Sequence, residues 1–336
     1  MLPHISCEEF SMKNRDVSKI PVIADAQLSS VLRMDDVIEV IERGFREYGK
    51  NHVVMPQRSA TVVSNEDVLL TMPAYVGGEV KALGAKLATV FASNPERHQL
   101  PTVHALIAMF DPETGIPRAI LEGSMITAFR TGAVSAIATK FLARTNASVL
   151  GVIGTGSQAQ SQVNGICAVR KIDKIKVYSR KTSNVDSFVS KMRTTIRQPI
   201  EAAKTAKETV QDSDIVITAT NSVTPVLRYE WLEPGTHINA VGAYRPTMRE
   251  LDEDTITNSK LVVDSKEACL AEAGEIAIPI SQNKIRESHI YAELAELVNG
   301  PKVGRSNDSE VTVFKSVGLA FEDIVTSKSV LDKLKI

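Results

Sequence analysis

Apolar and polar positions follow two regimes along this chain. A short apolar run over 20–24 predicts a strand. Apolar residues then recur at helical spacing over 34–48, with Val37, Val40, Ile41 and Phe45 on one face and Asp35 and Asp36 in the first turn. β-like runs follow at 58–63, 68–72, 80–91 and 103–110. Asp111-Pro112-Glu113-Thr114-Gly115 marks a turn, and 117–121 resumes as a strand. Residues 20–122 therefore predict one helix and a mainly antiparallel sheet.

The pattern then changes. Ile126, Phe129, Ala133, Ile137 and Phe141 fall at helical spacing and predict a helix over 126–143. Strand candidates at 149–153, 174–178, 200–203, 214–218, 237–241 and 261–263 alternate with helical segments at 157–169, 185–197 and 205–211. Such alternation predicts an α/β fold with a doubly wound, Rossmann-type parallel sheet. The tail over 311–334 opens with a strand-like run, becomes an amphipathic helix and is expected to return to the first lobe. The expected division is 125–308 for the parallel lobe and 1–124 plus 309–336 for the α+β lobe.

The stretch Val149-Leu150-Gly151-Val152-Ile153-Gly154-Thr155-Gly156-Ser157-Gln158-Ala159 adds chemistry to this outline. An apolar strand ends in Gly-x-Gly-x-x-Ala and a helical segment follows, the βα turn on which dinucleotides lay their pyrophosphate. Gly154 makes the turn, Gly156 leaves room for phosphate and Ala159 lets the helix pack close. The free N–H groups of the first helical turn then face an anion with the helix dipole behind them. The next strand ends in Ser179-Arg180-Lys181, with no acid at its tip. An acid there would accept from the ribose of NAD, whereas a cation suits the 2′-phosphate of NADP. NADPH is thus the expected cofactor, with NADH an open second.

The chain has 336 residues and a formal net charge of -1, so no global field draws it to nucleic acid or an anionic membrane. Cys7, Cys167 and Cys269 are far apart and form no CxxC, which fits a reducing, cytoplasmic setting. The histidines form no metal-ligand pair, and no metal is expected. No apolar run has the length of a membrane helix. Residues 1–19 mix charges without an apolar block, so a frayed extension is expected there rather than a signal peptide.

Three cations stand among apolar neighbours: Arg58 at the head of a β-like run, Lys86 inside Ala85-Lys86-Leu87-Ala88-Thr89-Val90, and Arg130 beside Phe129 and Val134. One such residue usually snorkels to water. Three in a lobe facing a nucleotide fold suggest a carboxylate pocket, with arginine offering a two-pronged grip and lysine a point charge or a proton. Glu272 and Glu275 are open between lining the site and capping a helix.

Several strings together resemble the ornithine cyclodeaminase/mu-crystallin family. They are Leu70-Thr71-Met72-Pro73-Ala74-Tyr75, Phe110-Asp111-Pro112-Glu113-Thr114-Gly115, Thr127-Ala128-Phe129-Arg130-Thr131-Gly132-Ala133-Val134-Ser135, the glycine turn, Pro234-Gly235-Thr236-His237-Ile238-Asn239-Ala240-Val241-Gly242 and Val313-Phe314-Lys315-Ser316-Val317-Gly318. The resemblance implies a homodimer paired through the non-nucleotide lobe, and chemistry at the carbon bearing nitrogen in an α-amino or α-imino acid. It implies substrate contacts at Arg58, Lys86 and Arg130, with Lys86 catalytic. It implies nucleotide contacts at Thr102, Gly154, Thr155, Gly156, Ser157, Gln158, Ser179, Arg180, Lys181, Thr220, Val241, Gly242 and Ser316. Tyr244 stands where cyclodeaminases carry an Asp and Leu70 where they carry a Glu, so the ketimine-reductase branch is the nearer one. The expected activity is NADPH-dependent reduction of pyrroline- or piperideine-2-carboxylate to proline or pipecolate. Alanine dehydrogenase, ornithine cyclodeaminase and a non-catalytic ligand-binding protein are the alternatives, in that order.

Overall fold

The computed structural model describes residues 20–64 and 67–336; the extension expected over 1–19, with Cys7, lies outside them. The first lobe runs β1 (Val22–Ile23), α1 (Asp25–Val31), α2 (Met34–Gly49), β2 (Val53–Val54), β3 (Ser59–Val62), β4 (Val68–Val76), β5 (Ala82–Val90), α3 (Asn94–Arg97), β6 (Val103–Phe110) and β7 (Pro117–Glu122). These strands form one seven-stranded sheet in the order β1-β7-β6-β5-β4-β2, with β3 also on β4. All pairs are antiparallel except β1 with β7, so the sheet is mainly antiparallel, as expected.

β4 extends past the expected end at 72, straight through Pro73. Its partner β3 covers 68–71 and its partner β2 covers 75–76, so Pro73 falls in the gap between them. A residue without an N–H breaks no ladder bond there. On β5 the pleat sends Ala82, Gly84, Lys86, Ala88 and Val90 to the buried face, and Leu83, Ala85, Leu87 and Thr89 to the other.

The long helix α4 (Gly123–Leu142) joins the lobes. The Glu122 carboxylate caps it, accepting from the N–H groups of Ser124 and Met125. The parallel lobe continues as β8 (Val149–Ile153), α5 (Ser157–Val169), β9 (Lys174–Tyr178), α6 (Thr182–Met192), β10 (Ile200–Ala202), α7 (Ala206–Val210), β11 (Ile215–Thr218), β12 (His237–Ala240), α8 (Glu253–Thr257), β13 (Lys260–Val263), α9 (Lys266–Glu272), α10 (Gly274–Ser281), β14 (Ile290–Glu293), α11 (Leu294–Val298), β15 (Thr312–Lys315) and α12 (Ala320–Leu334). α4 crosses α5 so tightly that a Cβ on Gly165 would meet the Gly132 carbonyl oxygen at 2.4 Å.

The second sheet has eight strands, all parallel, in the order β10-β9-β8-β11-β12-β15-β13-β14. Leu150, Val152, Ile215 and Ile217 join one hydrophobic cluster, while Ile153 and Val216 join another. Both faces are therefore covered, which explains the near-continuous apolar strands. The order reverses direction between β8 and β11, the switch point where such sheets take ligands.

The tail corrects one expectation. Thr312–Lys315 does not return to the first lobe but enters the parallel sheet between β12 and β13. Only α12 goes back, packing on α2, α4, β4, β5 and β6. An all-buried strand of four residues carries no periodicity that separates one sheet from another.

Candidate active site

Parallel register brings the strand ends into one row. Tyr178 pairs with Ile153, Ile153 with Thr218, Thr218 with Ala240, Ala240 with Lys315 and Lys315 with Val263. Ser179, Arg180 and Lys181, then Gly154 to Gln158, Thr220, Val241, Gly242 and Ser316 follow directly from these ends. All the expected nucleotide residues except Thr102 thus line the carboxyl edge of the sheet.

At the glycine turn the Gly154 N–H donates to the Tyr178 carbonyl at 2.9 Å. Gly154 has φ +107°, and a Cβ there would meet the Ala219 carbonyl oxygen at 2.4 Å, so only glycine fits. A Cβ on Gly156 would project into open space. The first turn of α5 has no side-chain cap, and the buried Gln158 Oε1 has no partner among the described residues. Uncapped amides, free space and a waiting acceptor fit a dinucleotide pyrophosphate and its neighbouring hydroxyls.

Glu250 fastens the middle of this edge. Its carboxylate accepts from Thr218 Oγ1 (2.9 Å), from the N–H and Oγ1 of Thr220 (2.6 and 2.7 Å) and from the Gly242 N–H (2.7 Å). Ser316 Oγ donates to Asp264 Oδ2 at 2.9 Å, and that oxygen also accepts from the N–H groups of Val317 and Gly318. Lys315, fully buried, donates to the Ala243 carbonyl at 2.6 Å and pairs with Glu275 at 3.2 Å. Burial pushes the Glu275 carboxyl up, and Lys315 opposes it.

Val317 and Gly318 lead from that edge to the cations. Arg58 Nη1 donates to the Val317 carbonyl at 3.4 Å, and a Cβ on Gly318 would lie 2.5 Å from Arg130 Nη1. Arg130 Nη1 donates to Glu322 Oε2 at 2.8 Å and its Nε to Asp323 Oδ1 at 3.2 Å. Lys86 Nζ donates to Asp323 Oδ2 at 2.5 Å and to Thr127 Oγ1 at 3.4 Å. Arg58 forms an ion pair with Glu272, its Nε donating to Oε1 at 2.7 Å. The three cations singled out in the sequence therefore form one cluster beside the nucleotide edge.

Burial dominates the electrostatics. It pulls the Lys86 ammonium down to about 8, against the attraction of Asp323 and with the repulsion of Arg130. It pulls Arg58 down to about 10 and pushes the Glu322 carboxyl up to about 8. On Asp323 burial pushes upward too, but Arg130 and Lys86 outweigh it and hold that carboxyl below its ordinary value.

Thr102 is apart from this. It precedes β6 five positions from Ile107, the residue paired with Lys86, and so lies roughly 17 Å along the strand at about 3.4 Å per residue. Glu272 and Glu275 do not cap helices; one pairs with Arg58 and the other with Lys315, while Ser265 caps α9. Sequence reasoning missed Asp264, Glu250, Glu322 and Asp323. The last two look like ordinary first-turn acids facing a helix dipole, and only the return of α12 to β5 brings them to the site. Among the described residues no group of three His, Cys, Asp or Glu side chains is placed to hold a metal.

Known proteins share the fold that positions this site. Residues 21–336 match the model of the ornithine cyclodeaminase/mu-crystallin family. A Delta(1)-pyrroline-2-carboxylate reductase of Bacillus cereus is 38% identical over 314 residues, 93% of this chain and 96% of the relative. The structure of the Thermococcus litoralis Delta(1)-pyrroline-2-carboxylate reductase in complex with NADH and L-proline superposes with a TM-score of 0.92 at 42% identity, covering 94% of this chain and 98% of that one. An archaeal alanine dehydrogenase dimer with bound NAD superposes with a TM-score of 0.88 at 33% identity, covering 94% and 97%.

Proposed function

The chain belongs to the ornithine cyclodeaminase/mu-crystallin family, and we propose that it is a nicotinamide-dependent reductase of a cyclic imino acid. Its leading substrate is Δ1-pyrroline-2-carboxylate, giving proline, and the larger-ring alternative is Δ1-piperideine-2-carboxylate, giving pipecolate. The observation that carries this reading is the meeting of Arg58 and Arg130 at Val317–Gly318, beside the carboxyl edge of the parallel sheet, with Lys86 joined to Arg130 through Asp323. The nicotinamide supplies the hydride when bound.

The protein's own part is grip, charge and a proton. Arg58 and Arg130 hold the substrate carboxylate, for which the planar guanidinium is suited. Lys86 stands by the C=N bond, where its ammonium orients the imine and serves as proton donor. A protonated imine is already electrophilic, so positioning and electrostatics do most of the work.

We further propose NADPH as the preferred coenzyme. Arg180 supports it: the residue is exposed at the tip of β9, two positions beyond Tyr178, and has no ion-pair partner among the described residues. A homodimer formed through the first sheet also belongs to this reading. The face of that sheet opposite Lys86 carries Tyr75, Leu83, Leu87 and Leu106 in adjacent register, three of them exposed. No helix among the described residues is long and apolar enough to cross a membrane, and with Cys167 and Cys269 free a cytoplasmic place of work is the natural one.

The test is a panel of cyclic imino acids and open-chain keto acids with ammonia, each with NADPH and with NADH, followed by nucleotide absorbance. Turnover of pyrroline-2-carboxylate above all others is expected. Faster turnover of pyruvate with ammonia would make the protein an alanine dehydrogenase, and nucleotide binding without turnover would make it a ligand-binding protein.

A further inference from the structure

The C-terminal helix carries a buried carboxylate into the cation cluster. Asp323 is fully buried in the first turn of α12. Its two oxygens divide the site: Oδ2 takes Lys86 Nζ at 2.5 Å, while Oδ1 takes Arg130 Nε at 3.2 Å and Thr127 Oγ1 at 3.3 Å. One rigid carboxylate thus fixes the spacing between the cation that grips the substrate and the cation that donates the proton.

We propose that Asp323 is a positioning residue of the reductase: it holds the Lys86 ammonium against the imine nitrogen, keeps it protonated, and sets its distance from Arg130. This rests on the reading of Lys86 as proton donor.

The surroundings of Lys86 give Asp323 this task. Cross-strand neighbours Met72 and Ile107 carry no charge. From α4 comes Arg130, and from the segment before β3 comes Arg58, both disfavouring a third cation. From α12 come Glu322, whose contact is Arg130, and Asp323, whose contact is Lys86. Among the acids of the described residues, only Asp323 touches the ammonium. Burial first, then Arg130 and Arg58, takes the ammonium down, and Asp323 is the main force holding it up.

The experiment compares Asp323→Asn, Asp323→Glu, Lys86→Ala and the parent in pH profiles of kcat, with thermal melts and nucleotide binding by fluorescence as controls of folding. Substrate ionisation is common to all four, so a difference between profiles belongs to the protein. In the parent the rate falls above about pH 8 as Lys86 loses its proton. In Asp323→Asn this fall is expected about one to three pH units lower, with kcat reduced more than tenfold and nucleotide affinity unchanged. Asp323→Glu keeps the charge and is expected to keep the parental fall even where kcat drops. A folded Asp323→Asn whose alkaline fall stays in place overturns the proposal. If Lys86→Ala retains the same fall, the limb is not that of Lys86, and the reading beneath the proposal fails instead.

Discussion

Gly318 and Arg130 touch so closely that no side chain fits between them: a Cβ on the glycine would sit 2.5 Å from Nη1 and 2.9 Å from Nη2 of the guanidinium. The glycine follows the carboxyl end of β15, and its N–H is held by Asp264 at 2.8 Å. Through this contact the nucleotide edge dictates where the arginine lies. Gly318→Ala must move Arg130 and also forces φ +83° on a residue with a Cβ, a strain of about 1–2 kcal/mol. The expected result is a rise of more than tenfold in KM for the imino acid, with nucleotide affinity within twofold of the parent. Steady-state kinetics beside nucleotide titration checks it; an unchanged KM in a folded variant would detach Arg130 from the carboxylate.

Lys86→Ala removes the charge that the proposed mechanism sets at the C=N bond, and Lys86 lies on β5, outside the parallel lobe. A drop of more than tenfold in kcat/KM is expected, nucleotide binding being intact. Equal rates would remove Lys86 from the chemistry.

Glu322 makes stability depend on pH in a direction that can be worked out. Its carboxyl titrates near 8 in the folded chain and near 4.5 when unfolded. Between those values the folded state holds the extra proton, so the native contribution is whole below about 4.5 and is lost as pH rises through 8. Glu322→Gln keeps the shape and cannot ionise. Relative to this variant the parent should lose thermal stability steadily from about pH 5 to pH 8, measured by paired melts across that range. Parallel curves would show that Glu322 is ionised throughout.

Most of the scaffold was legible because its signals are local. Alternation gave the sheet around Lys86, and the glycine turn with its flanking strand and helix gave the nucleotide edge. What stayed hidden depends on contacts distant in sequence. Pro73 looks like a strand end unless β2 and β3 are known to leave a gap opposite it. Thr312–Lys315 reads equally well in either sheet. The pairing of Glu272 with Arg58, and of Asp323 with Lys86 237 residues away, leaves no trace in spacing. The cations could be picked out by being misplaced among apolar neighbours, whereas Glu322 and Asp323 sit in the first turn of α12, where acids are common, and Glu272 is the last residue of α9.

The outer face of the first sheet tests the proposed homodimer. Leu87 and Leu106 stand opposite each other, 45% and 53% exposed, with Leu83 and Tyr75 paired on the same face. Lys86 points the other way, so this face can be changed without touching the cation cluster. A double variant Leu87→Glu, Leu106→Lys should sediment as a monomer while its single-chain fold, read by circular dichroism, persists. A dimer that survives both charges is joined elsewhere.

The proposed preference for NADPH places coenzyme choice at the tip of β9. The register places Tyr178 beside Ile153, so Ser179 and Arg180 emerge next to the glycine turn, where the adenosine ribose lies in such folds. Arg180 is exposed there and has no ion-pair partner among the described residues, so it gives up no such pair when it meets a phosphate. A charge-assisted hydrogen bond of this kind contributes about 1.5–3 kcal/mol, which corresponds to roughly ten- to a hundredfold in affinity. Arg180→Ala should therefore raise the KM for NADPH by that factor and leave the KM for NADH within about threefold. Arg180→Asp should go further and reverse the preference, since an acid at this position repels the 2′-phosphate and accepts from the free 2′-hydroxyl. If both variants use the two coenzymes as the parent does, the selecting group is not Arg180, and the basic turn Ser179-Arg180-Lys181 is a solvated surface.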